Sequence, residues 1–223
     1  SVGKVYRALD DHLGRPVAIK IFHCAAQNAQ PNQMFDEARK TATLDDPSIV
    51  TIHNVVPLES GENVSAIVME WVDGVPCDEF AESLSFRDKA LLLQKIVQGL
   101  AHAHRNRMIH RDLKPQNILV TKAMQPKILD FGLALYEGEE GGGAGFFEGT
   151  PLYASPEQVA GLPLTSASDM FSFGSVMFCL LTGQPPFKGE SVRDVLDAIA
   201  TTHPPYLSDI AVGIPQELQA ICF

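Results

Sequence analysis

The residues best suited to chemistry lie in the stretch 110–117, which reads HRDLKPQN and precedes the apolar run 118–120. Its proline prevents a helix from continuing, so we predict a loop that leads into a short buried strand. Such a loop can direct several polar groups towards one point. Asp112 can accept a hydroxyl proton, Lys114 can neutralise phosphoryl oxygens, and the carbonyl of Asn117 can ligate Mg²⁺. The stretch indicates phosphate and metal chemistry; the plainer alternative is a polar turn before a strand.

Two further stretches place a charged side chain at the end of a predicted strand. In residues 17–20, VAIK, strand alternation points Ala18 and Lys20 to the same face. The small alanine leaves room there for a flat base, while the lysine reaches phosphates. In residues 128–132, ILDFG, Asp130 follows a buried strand directly. The alternative for residues 17–20 is a surface lysine on a strand. The alternative for residues 128–132 is a strand that ends in an ordinary Asx turn.

These three stretches resemble motifs of the protein kinase family, six of which occur in the family's order along essentially the whole chain. The resemblance implies that Asp112 accepts or orients the hydroxyl of the substrate. It also implies that Lys20 binds the α- and β-phosphates of ATP. Asp130 would be the main Mg²⁺ ligand, and Asn117 would hold a second ion.

The resemblance extends to the groups that surround the phosphates. In the family a helical Glu clamps the strand lysine, so Glu37 is the expected partner of Lys20, in preference to its neighbour Asp36. The stretch that starts at Gly3 resembles the end of a glycine-rich loop, with Val5 over the base. The other glycines of that loop would come before the first residue, and the last residues, 218–223, stop inside an apolar helical pattern. We therefore expect the chain to be a fragment cut at both ends.

The stretch VMEWVDG resembles the connection between the two lobes of the family. The resemblance implies that the backbone of Glu70 and Val72 bonds adenine and that Met69 limits the rear of the pocket. Leu119 would form the floor of the pocket, and Asp73 would reach the ribose. Taken one at a time, the same residues would be ordinary core or linker residues.

The substrate class follows from a lysine and a threonine. Lys114, two residues after Asp112, is typical of serine/threonine rather than tyrosine kinases, and the hydroxyl of Thr150 is implied to bridge the two. Glu157, in a segment that resembles the family's substrate side, would pair with an arginine beyond the last residue. Asp169 resembles the acid that holds the catalytic loop; its alternative is a helix N-cap. The motifs resemble those of bacterial members of the family.

Residues 133–149 are acidic and contain no Ser or Thr. Arg111 stands where many relatives bind a phosphate from this activation segment. We therefore hypothesise that activation does not use Ser/Thr phosphorylation here and that Glu148 partly replaces the phosphate. The replacement would be weaker, since a carboxylate carries less charge and fewer acceptors. The alternative is a solvated acidic loop without a role.

The elements that must position these residues change character along the chain. The predicted strands cover residues 5–9, 16–22, 49–56 and 64–71, the first two joined as a hairpin, and one helix covers 33–44. Later helices are predicted after capping boxes at 85–88 and 191–194, at 169–182, and from Pro215 onward. The expected fold is α+β and bilobal like a protein kinase. It would have a β-rich N-lobe over 1–72 with one main helix and a mostly helical C-lobe over 73–223.

Composition restricts the setting of the protein. The 223 residues carry a formal net charge of −10, which argues against a nucleic-acid backbone as a partner. The four cysteines are scattered, a pattern typical of isolated thiols in a reducing compartment. The apolar run 170–181 is too short to span a bilayer. We expect a cytoplasmic protein without a membrane segment in this chain, although an anchor outside it would be compatible.

Two functions from different classes agree with these motifs. The first is ATP-dependent phosphoryl transfer to serine or threonine in protein substrates, with Mg²⁺ as the metal and Mn²⁺ as an alternative. The second is a pseudokinase that binds nucleotide or acts as a scaffold. Pseudokinases commonly lack at least one of four residues that this chain retains: Lys20, Asp112, Asn117 and Asp130. The sequence therefore favours the enzyme, and a small-molecule phosphotransferase is a more distant alternative.

Overall fold

The structure is a computed structural model that describes residues 3–23, 38–58, 64–131 and 151–222. Its strands are β1 (Gly3–Asp10), β2 (Arg15–His23), β3 (Ile52–Leu58), β4 (Val64–Glu70), β5 (Gly74–Pro76), β6 (Ile118–Thr121) and β7 (Pro126–Ile128). Its helices are α1 (Cys77–Ala81), α2 (Phe86–Arg105), α3 (Pro156–Val159), α4 (Ser166–Thr182), α5 (Val192–Thr201), α6 (Leu207–Ile210) and α7 (Gln216–Cys222). A strand-rich first part is followed by a helical second part, which confirms the predicted α+β bilobal fold class.

The predicted hairpin at the start of the chain is confirmed, because β1 and β2 pair antiparallel along their length. Asp10 organises the turn: its carbonyl accepts the N–H of Gly14 at 2.7 Å, and its carboxylate accepts the N–H of Leu13 at 3.2 Å. Gly14 has a φ of +64°, which glycine adopts without a side-chain clash. The hairpin continues into a sheet of order β1-β2-β4-β3.

One face of this sheet carries four of the residues predicted to contact the nucleotide: Val5, Ala18, Lys20 and Met69. Val5 pairs with Lys20, which pairs with Ile67 on the next strand, and Ala18 pairs with Met69. Directly paired residues of antiparallel strands lie on the same face of a sheet, as do alternate residues of one strand. All five side chains therefore share one face, and the alternation predicted for Ala18 and Lys20 is confirmed.

A second sheet, of order β5-β6-β7, follows the predicted catalytic loop. The loop 110–117 ends in a 3-10 turn, Pro115–Asn117, which leads directly into β6, as predicted. The antiparallel pairing of β6 with β7 returns the chain to the same end of the sheet, where Asp130 follows β7 after one residue. The metal-ligand candidates Asn117 and Asp130 thus flank one short hairpin.

The strand predicted at 49–56 is wrong at its start, because β3 begins three residues later. Ile49 instead forms an isolated parallel bridge with Ile128, whose carbonyl accepts the N–H of Val50 at 3.0 Å. The N–H of Ile128 donates in turn to the carbonyl of Ser48 at 2.7 Å. These residues join the two sheets, a tertiary contact that apolar patterning cannot reveal.

Gly74, at the start of β5, is a position without room for a side chain. A Cβ there would lie 2.6 Å from the carbonyl oxygen of Val120, a backbone atom of the paired strand. We expect Gly74→Ala to lower the free energy of unfolding by about 2 kcal/mol in urea denaturation. Gly174→Ala in α4 is the control, since a Cβ there meets nothing within 4 Å, and it should not destabilise. Equal unfolding midpoints for the two variants would contradict the prediction.

The nearly all-apolar helix predicted at 169–182 begins earlier than apolar spacing indicated. The helix α4 starts at Ser166, and the hydroxyl of its N-cap Thr165 accepts a first-turn N–H at 3.2 Å. The first turn is made of small and polar residues, which give no apolar signal. Asp169 therefore lies inside the helix, and its alternative interpretation as an N-cap is wrong.

Both predicted capping serines are confirmed as N-caps. The hydroxyl of Ser85 accepts the N–H of Asp88 at 3.2 Å at the start of α2, and Ser191 accepts the N–H of Asp194 at 3.2 Å at the start of α5. The last predicted helix is present, but α7 begins at Gln216, one residue after its predicted start at Pro215. Packing of α2 and α4 against each other forms much of the core, and the buried residues of α2 are Leu92, Leu93, Ile96, Gly99, Leu100 and Ala103.

The helix predicted at 33–44 falls partly on residues 24–37, which lie outside the described residues. Residues 38–41 are helical, and the chain then leaves the helix, three residues before the predicted end. The N–H of Leu44 donates to the carbonyl of Thr41 at 3.0 Å, so the helix ends in a tighter turn. Leu44, the predicted end of the helix, is buried although it is not helical.

Candidate active site

The predicted catalytic loop places three polar side chains in direct contact. The ammonium of Lys114 lies 2.6 Å from the carboxylate of Asp112. The amide of Asn117 donates both to the carbonyl of Asp112, at 2.8 Å, and to its carboxylate, at 3.1 Å. The side chain of Asp112 is nevertheless 44% exposed, so its carboxylate can also meet a ligand from solvent.

Asp169 of α4 binds the backbone at the start of the loop. One carboxylate oxygen of this buried residue accepts the N–H of His110 at 2.8 Å, and the other accepts the N–H of Arg111 at 2.8 Å. The Nε2 atom of His104 on α2 lies 2.7 Å from the first of these oxygens. Burial by itself raises the pKa of the Asp169 carboxyl, but these three hydrogen bonds outweigh it and hold the pKa below its ordinary value. Asp169 therefore acts as a charged anchor for the loop backbone.

The anchored backbone is strained at Arg111, which has a φ of +71°. A non-glycine residue in this left-handed region costs about 1 kcal/mol or more. The N–H groups of His110 and Arg111, both bound to Asp169, are the contacts that offset this cost. The strain directly precedes Asp112, so the surrounding structure, and not local preference, sets the direction of that carboxylate.

A buried histidine joins the loop to the end of β7. The Nδ1 atom of His110 accepts the N–H of Asp112 at 3.2 Å, so its proton lies on Nε2. That nitrogen donates to the carbonyl of Leu129 at 2.8 Å. The imidazole also packs on the ring of Phe131, with 4.8 Å between ring centroids. The two stretches that the sequence singled out separately are therefore one packed unit.

The lysine of the first sheet reaches the same unit. Lys20 is buried, with 4% of its surface exposed. Its ammonium group lies 2.9 Å from the carboxylate of Asp130. Asp130 has a φ of +61°, a second strained position, immediately after Leu129. The N–H of Leu129 donates to the carbonyl of Asn117 at 2.8 Å. A continuous chain of contacts thus runs from Lys20 to Asn117 and on to the loop.

An apolar cluster lies beside these charged groups. Ala18 and Met69 are both buried, and Val72 and Leu129 pack against the cluster that they form. Leu119, on β6, is partly buried between β5 and β7. The cluster is apolar, and Lys20, on the same strand as Ala18, and Asp130, next to Leu129, place charge beside it.

The side chain of Glu70 is used for structure at the connection after β4. Its carboxylate lies 2.8 Å from the ammonium of Lys127 and accepts the N–H of Thr51 at 3.3 Å. The backbone N–H of Glu70 donates to the carbonyl of Thr51 at 2.9 Å. Beyond it, Asp73 is exposed to solvent. The ion pair with Lys127 therefore fixes the connection against the second sheet.

Of the remaining predicted site residues, two lie on β1 and two lie outside the described residues. Gly3 begins β1 opposite Phe22, and Val5 is 56% exposed. Glu37 and Thr150 lie outside the described residues, as does the whole acidic stretch 133–149.

Glu157, on α3, has one buried carboxylate oxygen that accepts no hydrogen bond within the described parts of the chain. The arginine expected to pair with it is not among those parts. That ion pair therefore stays a prediction.

Sequence reasoning missed His104 and Gln158 as contacts of the loop, although each gave a signal. His104 follows the buried Leu100 by four residues and so lies on the apolar face of α2, where a histidine is unusual unless it has a buried partner. Gln158 is the third residue after Ser155 in the pattern S-x-x-Q, the signature of a capping box. Its side chain donates to the carbonyl of Arg111 at 2.5 Å.

Comparisons with known proteins find relatives along nearly the whole chain. "Serine/threonine-protein kinase PrkC" of Bacillus subtilis (strain 168) is 34% identical over 226 residues, covering 99% of this chain and 34% of PrkC. "Serine/threonine-protein kinase pkn2" of Myxococcus xanthus is 36% identical over 91% of this chain and 25% of its own length. "Serine/threonine-protein kinase PknA" of Mycobacterium tuberculosis is 33% identical over 98% of this chain and 53% of its own length. The chain thus spans between a quarter and about half of these relatives.

The family profile described as "Protein kinase domain" matches residues 1–215. Because this match covers nearly the whole chain, and the catalytic loop, the strand lysine and the end of β7 meet in one place, the chain belongs to the protein kinase domain family.

Proposed function

We propose that the chain transfers the γ-phosphoryl group of ATP to serine or threonine hydroxyls of protein substrates. The observation that carries the proposal is the chain of contacts from Lys20 through Asp130 and Asn117 to Asp112. It assembles positive charge, metal ligands and a proton acceptor, the groups that phosphoryl transfer needs for positioning and neutralisation. The names of the relatives, all serine/threonine-protein kinases, and the lysine at position 114 support serine or threonine as the acceptor.

The donor set fits a hard divalent cation. Members of the family generally use ATP with Mg²⁺, and Mn²⁺ accepts similar oxygen ligands. Asp130 offers a carboxylate, and Asn117 offers a carboxamide oxygen because its NH₂ group is already bound to Asp112. We assign these two residues as the metal ligands. A bound metal would neutralise charge on the phosphates, and Lys20 would add positive charge beside it.

Asp112 and Lys114 are assigned to the acceptor side of the reaction. The carboxylate of Asp112 would orient the substrate hydroxyl and accept its proton late in the transfer. The ammonium of Lys114, 2.6 Å from that carboxylate, holds it in place and would balance charge on the transferred group. Thr150 is proposed to complete this arrangement, and Glu37 to position Lys20.

The nucleotide base is assigned to the apolar cluster beside the charged groups. Ala18 and Leu119 would lie on its two faces, Met69 would limit the rear, and the backbone of Glu70 and Val72 would bond adenine. Asp73 would reach the ribose, with Gly3 and Val5 above the phosphates and base. The buried alanine and methionine, paired in register, support the assignment.

The lobes are proposed to divide at the connection, 1–72 and 73–223, with the site between them. We propose the cytoplasm as the location, because the cysteines are scattered along the chain. We propose proteins rather than nucleic acids as partners, because the net charge is −10. Across the described ranges, none of the helices has both the length and the apolar character needed to cross a membrane.

A transfer assay on the full natural protein tests the proposal. It uses radiolabelled ATP, Mg²⁺ and a degenerate peptide library, with Asp130→Asn as the control that removes the proposed metal ligand. We expect label on serine or threonine, reduced at least about a hundredfold in the control. Label on tyrosine would overturn the acceptor class. Nucleotide binding without any transfer would favour the pseudokinase alternative.

A further inference from the structure

We propose that Gln158 is a positioning residue that fixes the peptide unit between Arg111 and Asp112 and thereby aims the Asp112 carboxylate. The proposal rests on the proposed phosphoryl transfer, because it assigns a residue that acts through Asp112. Gln158 lies in the short helix α3, 47 residues further along the chain than Arg111. No motif in the loop itself indicates this partner.

The orientation of the Gln158 amide follows from its two contacts. Its Oε1 atom accepts the N–H of Ser155 at 2.8 Å, and its Nε2 atom donates to the carbonyl of Arg111 at 2.5 Å. A backbone N–H can only donate and a carbonyl can only accept, so a flipped amide would face both with the wrong atom. Both ends of one carboxamide are therefore in use, one towards its own helix and one towards the loop.

The peptide unit that follows Arg111 is clamped at both ends. Gln158 holds its carbonyl, and the Nδ1 atom of His110 accepts its N–H, which belongs to Asp112, at 3.2 Å. Asp169 holds the preceding N–H, that of Arg111. Three partners thus fix a backbone whose φ of +71° is unfavourable for arginine. Rotation of this peptide unit would move the Asp112 side chain directly.

The clamp also has a rigid base. Ser155 is fully buried, and its hydroxyl accepts the N–H of Gln158 at 3.3 Å, which completes a reciprocal capping box. The capping box stabilises the first turn of α3, and this holds the backbone from which the Gln158 side chain extends. The segment that resembles the substrate side of the family is thereby linked to the catalytic loop by one amide.

Gln158→Glu separates the two contacts of this amide. A carboxylate can still accept the N–H of Ser155, as glutamate does in capping boxes, but it cannot donate to the carbonyl of Arg111. We expect the variant to keep its melting temperature within about 3 °C of the unmodified protein. We expect kcat to fall about tenfold, with KM for ATP changed less than about twofold. If Gln158 had a purely structural role, a loss of kcat would be accompanied by a lower melting temperature.

Two further variants give the comparison. Asp194→Ala removes the acidic member of the capping box at α5, which does not contact the loop, and should leave kcat unchanged. In an Asp112→Asn background, Gln158→Glu should lower the residual rate less than about twofold, because residues that act as a unit are not additive.

A readout without turnover uses hydrogen exchange of the loop backbone. Gln158→Glu should raise amide exchange at Arg111 and Asp112 at least about threefold, and Asp194→Ala should not. If the unmodified protein transfers no phosphate, the proposed function fails. The amide exchange rates of Arg111 and Asp112 still test whether Gln158 fixes the loop backbone. Unchanged kcat in an active protein, unchanged exchange, or a loss of kcat explained by a lower melting temperature would each overturn the proposal.

Discussion

Asp112→Asn is expected to lower the rate of phosphoryl transfer about a thousandfold while leaving ATP affinity within about twofold. The asparagine keeps the shape of the side chain, so the contacts with Lys114 and Asn117 can form in part. It cannot accept the hydroxyl proton, and a neutral amide no longer balances the ammonium 2.6 Å away. Steady-state kinetics with peptide substrate and titration calorimetry with ATP and Mg²⁺ measure the two quantities separately.

Asp209→Asn is the matched control for this variant. It removes an exposed carboxylate in α6 and should change neither turnover nor affinity. A rate for Asp112→Asn equal to that of the control would refute the role of Asp112. An equal loss of ATP affinity and turnover would instead show that Asp112 contributes to nucleotide binding.

Asp169→Asn is expected to lower the free energy of unfolding by about 3 kcal/mol and the transfer rate about a hundredfold. The buried carboxylate accepts hydrogen bonds from two backbone N–H groups and from His104. An asparagine offers one acceptor oxygen, and its NH₂ group would face a donor N–H. The strained φ at Arg111 would then lose part of its support, and Asp112 would no longer be aimed. Urea denaturation and the transfer assay measure the two effects.

The charge of Asp169 also predicts a pH dependence. Burial alone raises the pKa of this carboxyl, but its hydrogen bonds hold the folded-state pKa below the ordinary value of 3.8. A group whose pKa is lower in the folded state stabilises above its unfolded pKa and loses that contribution as the pH falls through the folded pKa. The difference in unfolding free energy between the unmodified protein and Asp169→Asn should therefore be constant from about pH 7 to about pH 5. It should shrink once the pH falls below 3.8.

Asp88→Asn is the matched control, since Asp88 also lies in the first turn of a helix but contacts only its own cap. Its cost should stay below about 1 kcal/mol, the range of helix-terminus effects. A similar cost for Asp88→Asn and Asp169→Asn would mean that Asp169 serves only its helix. A stability difference that stays constant as the pH falls from about 5 to well below 3.8 would contradict the assigned charge.

Much of the fold could be predicted because its signals are local. The hairpin rests on a turn within five residues, from Asp10 to Gly14, and the capping serines bond residues three positions away. Alternation placed Ala18 and Lys20 on one face, since the period of a strand is two whatever its partners. Element starts were less predictable: β3 begins late because Ile49 bridges to Ile128, and α4 begins early because its first turn is not apolar.

The candidate site divides in the same way. The contacts among Asp112, Lys114 and Asn117 span at most five residues, so spacing alone indicated that they could meet. The ion pair of Lys20 with Asp130 was not predicted from the residues, because Lys20 lies on the first sheet and Asp130 follows the last strand of the second. Glu70 was assigned a backbone role, and the structure adds the ion pair of its side chain with Lys127, 57 residues away.

By itself, the sequence determined the chemical identity of the loop at 110–117: a carboxylate, an ammonium and a carboxamide within six residues, on a backbone that proline keeps out of a helix. Tertiary structure decided how that loop is held: the family resemblance implied Asp169 as one support, and only the structure shows its hydrogen bonds and adds Gln158. These two supports lie 58 and 47 residues from Arg111. Distant residues are needed because a left-handed arginine is locally unfavourable, so only buried hydrogen bonds from other elements can keep it in place.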